Sequence, residues 1–178
     1  MIKKVTLIIS ILFFSLSFSQ EKKKVNKDKN GYLIGIATKE TFQDPSFKPW
    51  FENRYNSYKT DPLIIAKLTF AVKDIKIMGY MGTWCADSRR EVPRFFKIFD
   101  EINFDENNLE LIGVDRTKNT PDNKAKELDV FRVPTFIFYK NGKEIGRFVE
   151  YPRESIEKDI LKIVIGEPYK HSYDRTID

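Results

Sequence analysis

The chain has 178 residues, enough for one domain with some extra length, and 41% of them are hydrophobic, with 15 Phe and 8 Tyr to fill a core. Its net charge of +5 sits at the N-terminus: from Asn30 onward 24 basic residues face 24 acidic ones. A neutral folded part argues against a nucleic-acid surface, and the single cysteine, Cys85, excludes an internal disulfide.

Met1–Lys4 is a short basic start and Val5–Phe18 an apolar run of about 14 residues, short of the roughly 20 a spanning helix needs. Ser17 and Ser19 offer a small-x-small cleavage pattern with the cut before Gln20. Residues 1–19 therefore read as a secretory signal peptide. The expected product is exported, periplasmic or secreted, and free of the membrane after cleavage; an uncleaved anchor is the alternative. Residues 20–30 read as a solvated basic linker, 31–166 as the domain and 167–178 as a polar tail.

Within the domain, Gly31–Ala37 reads as a first strand. Pro45–Tyr58 carries aromatics at helical spacing. Asp61–Pro62 is a helix start, with Asp61 as N-cap and Pro62 in the first position. Asp74–Tyr80 is a largely apolar strand that ends just before the cysteine. Asp87–Asp100 is a helix with Val92, Phe95, Phe96 and Phe99 on one face and a kink at Pro93. Leu109–Val114 is a strand, and Pro121–Leu128 a helix capped by Thr120. Thr135–Tyr139 and Glu144–Glu150 form a hairpin around Asn141–Gly142, a two-residue turn pair. Pro152–Ile165 is an amphipathic helix. The order β-α-α-β-α-β-α-β-β-α predicts an α/β fold, a mixed central sheet with helices on both faces.

Cys85 follows a strand and opens a helix. The free N–H groups and partial positive charge of a helix N-terminus favour an anion, here a thiolate. Ser88 stands three residues on, where its hydroxyl can support the sulfur. Arg89 and Arg90 add positive charge; Asp87 opposes them.

These residues resemble a known family. T-W-C-A-D-S, Thr83–Ser88, is similar to the W-C-G-P-C site of thioredoxins, and Pro93 lies eight residues after Cys85, where that family has its helix proline. Val133-Pro134-Thr135 followed by F-I-F-Y-K-N-G is similar to the family's cis-proline loop and hairpin. The resemblance covers about Ile75–Ile165. It implies a thioredoxin-like fold and thiol–disulfide exchange at Cys85, with Ser88 as its catalytic neighbour. It further implies that Trp84, Val133, Pro134 and Thr135 line the substrate site, with Val133 offering its backbone as an edge for an extended client.

The departures carry weight. Ser88 replaces the resolving cysteine, and a hydroxyl cannot attack a mixed disulfide at neutral pH. The expected activity is therefore monothiol exchange or isomerisation on disulfide-bearing or thiol-bearing client proteins, with an external thiol or a reductase as resetting partner. Ala86-Asp87 replaces Gly-Pro, and Gly79 stands where the family often has a buried acid. The alternative is a redox-inactive binding module that uses the cis-proline groove. His171, the single histidine, sits in the polar tail, which disfavours a Cys–His hydrolase. There is no cysteine–histidine spacing for a metal and no glycine-rich phosphate loop, so neither metal nor cofactor is expected. A one-cysteine peroxidase or a monothiol glutaredoxin fits the motifs less well.

Overall fold

Ile75–Met81 (β2) alternates buried and open positions along its first half and is buried at its end, as a central strand leading into a site should be. In the computed structural model, which describes residues 25–120 and 122–174, β2 lies at the centre of a five-stranded sheet. It runs parallel to Leu109–Gly113 (β3) and antiparallel to Thr135–Lys140 (β4). Gly35–Ala37 (β1) pairs antiparallel with β3, and Lys143–Val149 (β5) antiparallel with β4, so the order is β1-β3-β2-β4-β5. Asn141 and Gly142 both take the left-handed conformation, at φ 52 and 77, that a two-residue hairpin turn requires.

The helices are Lys48–Ser57 (α1), Pro62–Ala71 (α2), Ala86–Glu101 (α3), Lys124–Glu127 (α4) and Ile156–Ile165 (α5). Asp61 caps α2 by accepting from Leu63 N–H at 2.9 Å, and Pro62 takes the first position. The main core packs α1, α2, α3 and α5 against one sheet face; Phe95 stacks on Phe136 at 3.8 Å and Phe42 on Phe51 at 4.6 Å. Each fully buried Phe contributes roughly 1.5–3 kcal/mol. A smaller cluster on the other face joins Tyr80, Ile112, Val114, Val133 and Ile137 to Ala125 of α4. Helices therefore lie on both faces, but the second layer is thin.

The helix expected from Pro121 to Leu128 is shorter than its pattern suggests. Pro121 lies outside the described residues, and Asn123, at φ 58, is left-handed, so α4 starts at Lys124. Thr120 still serves it, its Oγ1 accepting from Ala125 N–H at 3.2 Å.

The signal-peptide residues and the first part of the linker lie outside the described residues. From Val25 on, the chain makes contacts. Asp28 N–H donates to Tyr32 O at 2.9 Å and Ile34 N–H to Asn26 O at 3.0 Å, closing a small hairpin. Lys27 pairs with Asp44 at 2.6 Å. The polar tail also docks: Tyr169 Oη donates to the buried Asp159 at 3.2 Å, and Ser172 Oγ donates to Tyr151 O.

His171 fastens the described part of that tail near Tyr173. Its Nδ1 accepts from Tyr173 N–H at 3.1 Å, and its ring faces Phe131. Burial, with help from Arg147, holds its pKa below the ordinary 6.5, while Asp174 and Glu144 pull the other way. A lowered native pKa means the neutral ring stabilises docking above about pH 6.5, and that contribution is lost as pH falls through the native value. Tail cleavage by a protease active across that range is expected to speed up below about pH 6.5. The profile should be flat in His171→Asn, whose amide oxygen accepts the same bond without titrating.

Candidate functional site

Cys85 is the N-cap residue of α3, directly after the turn that leaves β2. Its side chain is half-buried against the second cluster. The Sγ donates to the carbonyl of Val133 at 3.2 Å. The following bond, Val133–Pro134, is cis. Two stretches 48 residues apart thus meet at one sulfur.

Ser88 is fully buried, and its Oγ accepts from Gly82 N–H at 3.1 Å. Its hydroxyl therefore fastens the turn before the cysteine. Thr135 is also buried, and its Oγ1 donates to Arg132 O at 2.8 Å, closing the proline loop on itself. Trp84 Nε1 donates to Val114 O at 2.8 Å, which fixes the indole against the same cluster that Cys85 packs on. Asp87 is ion-paired within its own helix turn with Arg90 at 2.6 Å. Arg90 and Arg94 also flank the buried Glu91, so this face of α3 is closed by ion pairs.

Sequence reasoning gave the neighbouring Arg116, Tyr32, Gly113 and Glu150 no role. Arg116 lies 5.5 Å over the Trp84 ring and 5.4 Å over Tyr32, and donates to Tyr32 Oη at 3.1 Å. Such cation–π stacking steadies both rings. The N-terminal hairpin that carries Tyr32 is tied to the same turn, because Leu33 N–H donates to Thr83 Oγ1 at 3.0 Å. Gly113 permits this approach, since a Cβ there would stand 2.6 Å from Leu33 O. Glu150 is the last of these. Its N–H donates to Pro134 O at 2.7 Å, its backbone is left-handed at φ 64, and burial and then Asp87 push its carboxyl above the ordinary carboxylate range.

The family's often-present acid has no room here. Gly79 pairs with Leu111 on one side and Phe136 on the other. A Cβ on Gly79 would stand 2.8 Å from Leu111 Cδ1 and 2.9 Å from Phe136 Cε1.

A cysteine at the head of a helix beside a cis-proline loop, on this sheet order, agrees with the sequence comparisons. The thioredoxin family profile matches residues 63–162. The chain belongs to the thioredoxin family. Among thioredoxins, the Gallus gallus protein is 26% identical over 99 residues, covering 56% of this chain and 89% of that one. Thioredoxin H2 of Arabidopsis thaliana is 29% identical over 87 residues, covering 49% of this chain and 61% of that one. A solved Fasciola hepatica thioredoxin superposes with a TM-score of 0.37 at 22% identity, covering 58% of this chain and 93% of that one. Thiol–disulfide exchange is the general chemistry of the family, and the one cysteine of this chain is Cys85.

Proposed function

We propose that this protein is an exported monothiol exchange protein that acts on the disulfides of client proteins. The observation that carries the reading is the approach of Cys85 Sγ to Val133 O at 3.2 Å, beside cis Pro134. A client strand laid along Val133 brings its disulfide to the thiol. The Cys85 thiolate attacks one client sulfur. The client S–S bond breaks, a Cys85–client S–S bond forms, and the other client sulfur leaves as a thiolate that takes a proton. Ser88 cannot perform the second attack. A second client thiolate, or an external thiol such as that of a reductase, must attack the client sulfur of the mixed disulfide and return Cys85. With a client thiol the sum is isomerisation, with no net oxidation or reduction.

Export rests on the basic, apolar and small-residue order of residues 1–19. It fits the chemistry, because disulfide-bearing clients persist outside the cytosol.

The test is covalent capture. Wild-type protein incubated with a disulfide-bonded client should give a mixed disulfide on a non-reducing gel that is cleared by added thiol. Cys85→Ala should give none and should unfold at nearly the same temperature, because the side chain is only half-buried. Client binding that survives Cys85→Ala undiminished, together with no capture by the wild type, would identify a binding module instead.

A further inference from the structure

The cis-proline loop is held from outside by the C-terminal tail. One ring, Tyr173, grips both segments that frame Pro134. It meets Phe131 edge-on at 5.9 Å and Tyr151 at 5.8 Å, and the Arg132 guanidinium lies 4.9 Å over its face. Its Oη donates to the Glu150 carboxylate. Phe131 and Arg132 lead directly into Val133. Glu150 is bolted to the far side of the loop by its N–H bond to Pro134 O at 2.7 Å. Arg132 and Glu150 also face one another at 4.0 Å. Ser172 Oγ and Tyr151 O add a hydrogen bond that stops the tail from sliding.

We infer that Tyr173 is a positioning residue for client exchange, which sets the Val133 edge on which an extended client lies. This rests on the monothiol-exchange reading. The physical case is that an edge can direct a client sulfur only if it is itself immobile; small misplacements of a reacting pair are costly. The segment 131–133 has no strand partner on its outer side among the described pairings. The grip of Tyr173 on Phe131, Arg132 and Glu150 adds a constraint from outside to the hydrogen bonds that close the loop from within. A small disulfide that needs no edge should not depend on it.

Two probes separate these cases. One is dithiodipyridine, a small aryl disulfide. The other is an extended peptide whose one cysteine is activated as a thiopyridyl mixed disulfide. In both, the Cys85 thiolate attacks sulfur, a new S–S bond forms, and pyridinethione leaves with the electron pair and is read by absorbance. For Tyr173→Ala the peptide rate is expected to fall about 10-fold, with the small-disulfide rate unchanged. Tyr173→Phe keeps the ring and loses the bond to Glu150; it should restore roughly half of the peptide rate. An equal fall for both probes, or no fall for either, would overturn the inference. If wild-type Cys85 reacts with neither probe, the exchange reading fails by itself. Affinity of Cys85→Ala for the same peptide with its cysteine changed to serine then decides. About 10-fold weaker binding on adding Tyr173→Ala would sustain the role of the tail, and unchanged binding would remove it.

Discussion

Ser88→Cys is expected to shorten the life of the client mixed disulfide by at least about 100-fold, because the second attack becomes intramolecular. Cys85 is the N-cap and Ser88 the third helical position, a spacing at which side chains of a helix start meet. On the proposed function, release from the wild-type protein waits for an outside thiol. In the variant, the introduced thiolate attacks Cys85 Sγ, the client leaves as a thiol, and an internal disulfide remains. Addition of dithiothreitol reduces that disulfide, and the variant should then turn over as a disulfide reductase. The substitution also removes the acceptor for Gly82 N–H, a bond of 3.1 Å in a fully buried place, at a cost of about 1 kcal/mol. The check is the decay of the client adduct by mass spectrometry, with and without dithiothreitol. An adduct as durable as the wild-type one would mean that the start of α3 holds the two positions apart, and that the scaffold is built for holding clients.

The fold was largely legible because its signals are local. T-F-I-F-Y-K-N-G carries both a continuous apolar strand run and its turn chemistry in eight consecutive residues, and the hairpin forms where they predict, its strand buried on both faces. Asp61–Pro62 states its cap and first helical residue side by side. The meeting of Cys85 with Val133 was legible only through resemblance, since no local pattern joins positions 48 apart. The supports of the site were not legible. Arg116 finds Tyr32 across 84 residues, and Tyr173 finds Glu150 across 23. Lys27 and Tyr173 lie in stretches whose composition reads as solvated linker and polar tail, Arg116 lies where a strand gives way to a loop, and charge and polarity do not reveal which surface a long side chain will lie on. Ser88 was placed correctly on the helix, but its hydrogen-bond partner depended on the turn geometry of Gly82.

Gly79→Asp is expected to be the most damaging of these substitutions to stability. It restores a carboxylate where the family often has one, and the core opposes it on two counts. The new Cβ would meet Leu111 and Phe136 inside 3.0 Å. Phe136 cannot simply withdraw, because it is stacked on Phe95 at 3.8 Å and meets Phe148 edge-on. Overpacking of this kind costs about 1–3 kcal/mol, and burying an unpaired carboxyl among phenylalanines adds a desolvation cost, for a total of at least about 3 kcal/mol at pH 7. That is a large share of the roughly 5–15 kcal/mol that holds a domain folded. The sign with pH separates the two costs. Burial raises the native pKa of the introduced carboxyl above its unfolded value. Its destabilisation is therefore smallest below about pH 4 and grows as pH rises through the native value. Gly79→Ala isolates the steric part, whose cost should be the same at both ends. Urea unfolding of the two variants at pH 4 and pH 7 reads the difference. If Gly79→Asp were as stable as wild type at pH 7, the aromatic packing would have to open readily at this point, and a proton-carrying group could then be returned to the site. If it fails as expected, the aromatic core around β2 is incompatible with that carboxylate. Together with the serine at position 88, this would leave a scaffold that relies on outside thiols for release and on its own core for rigidity.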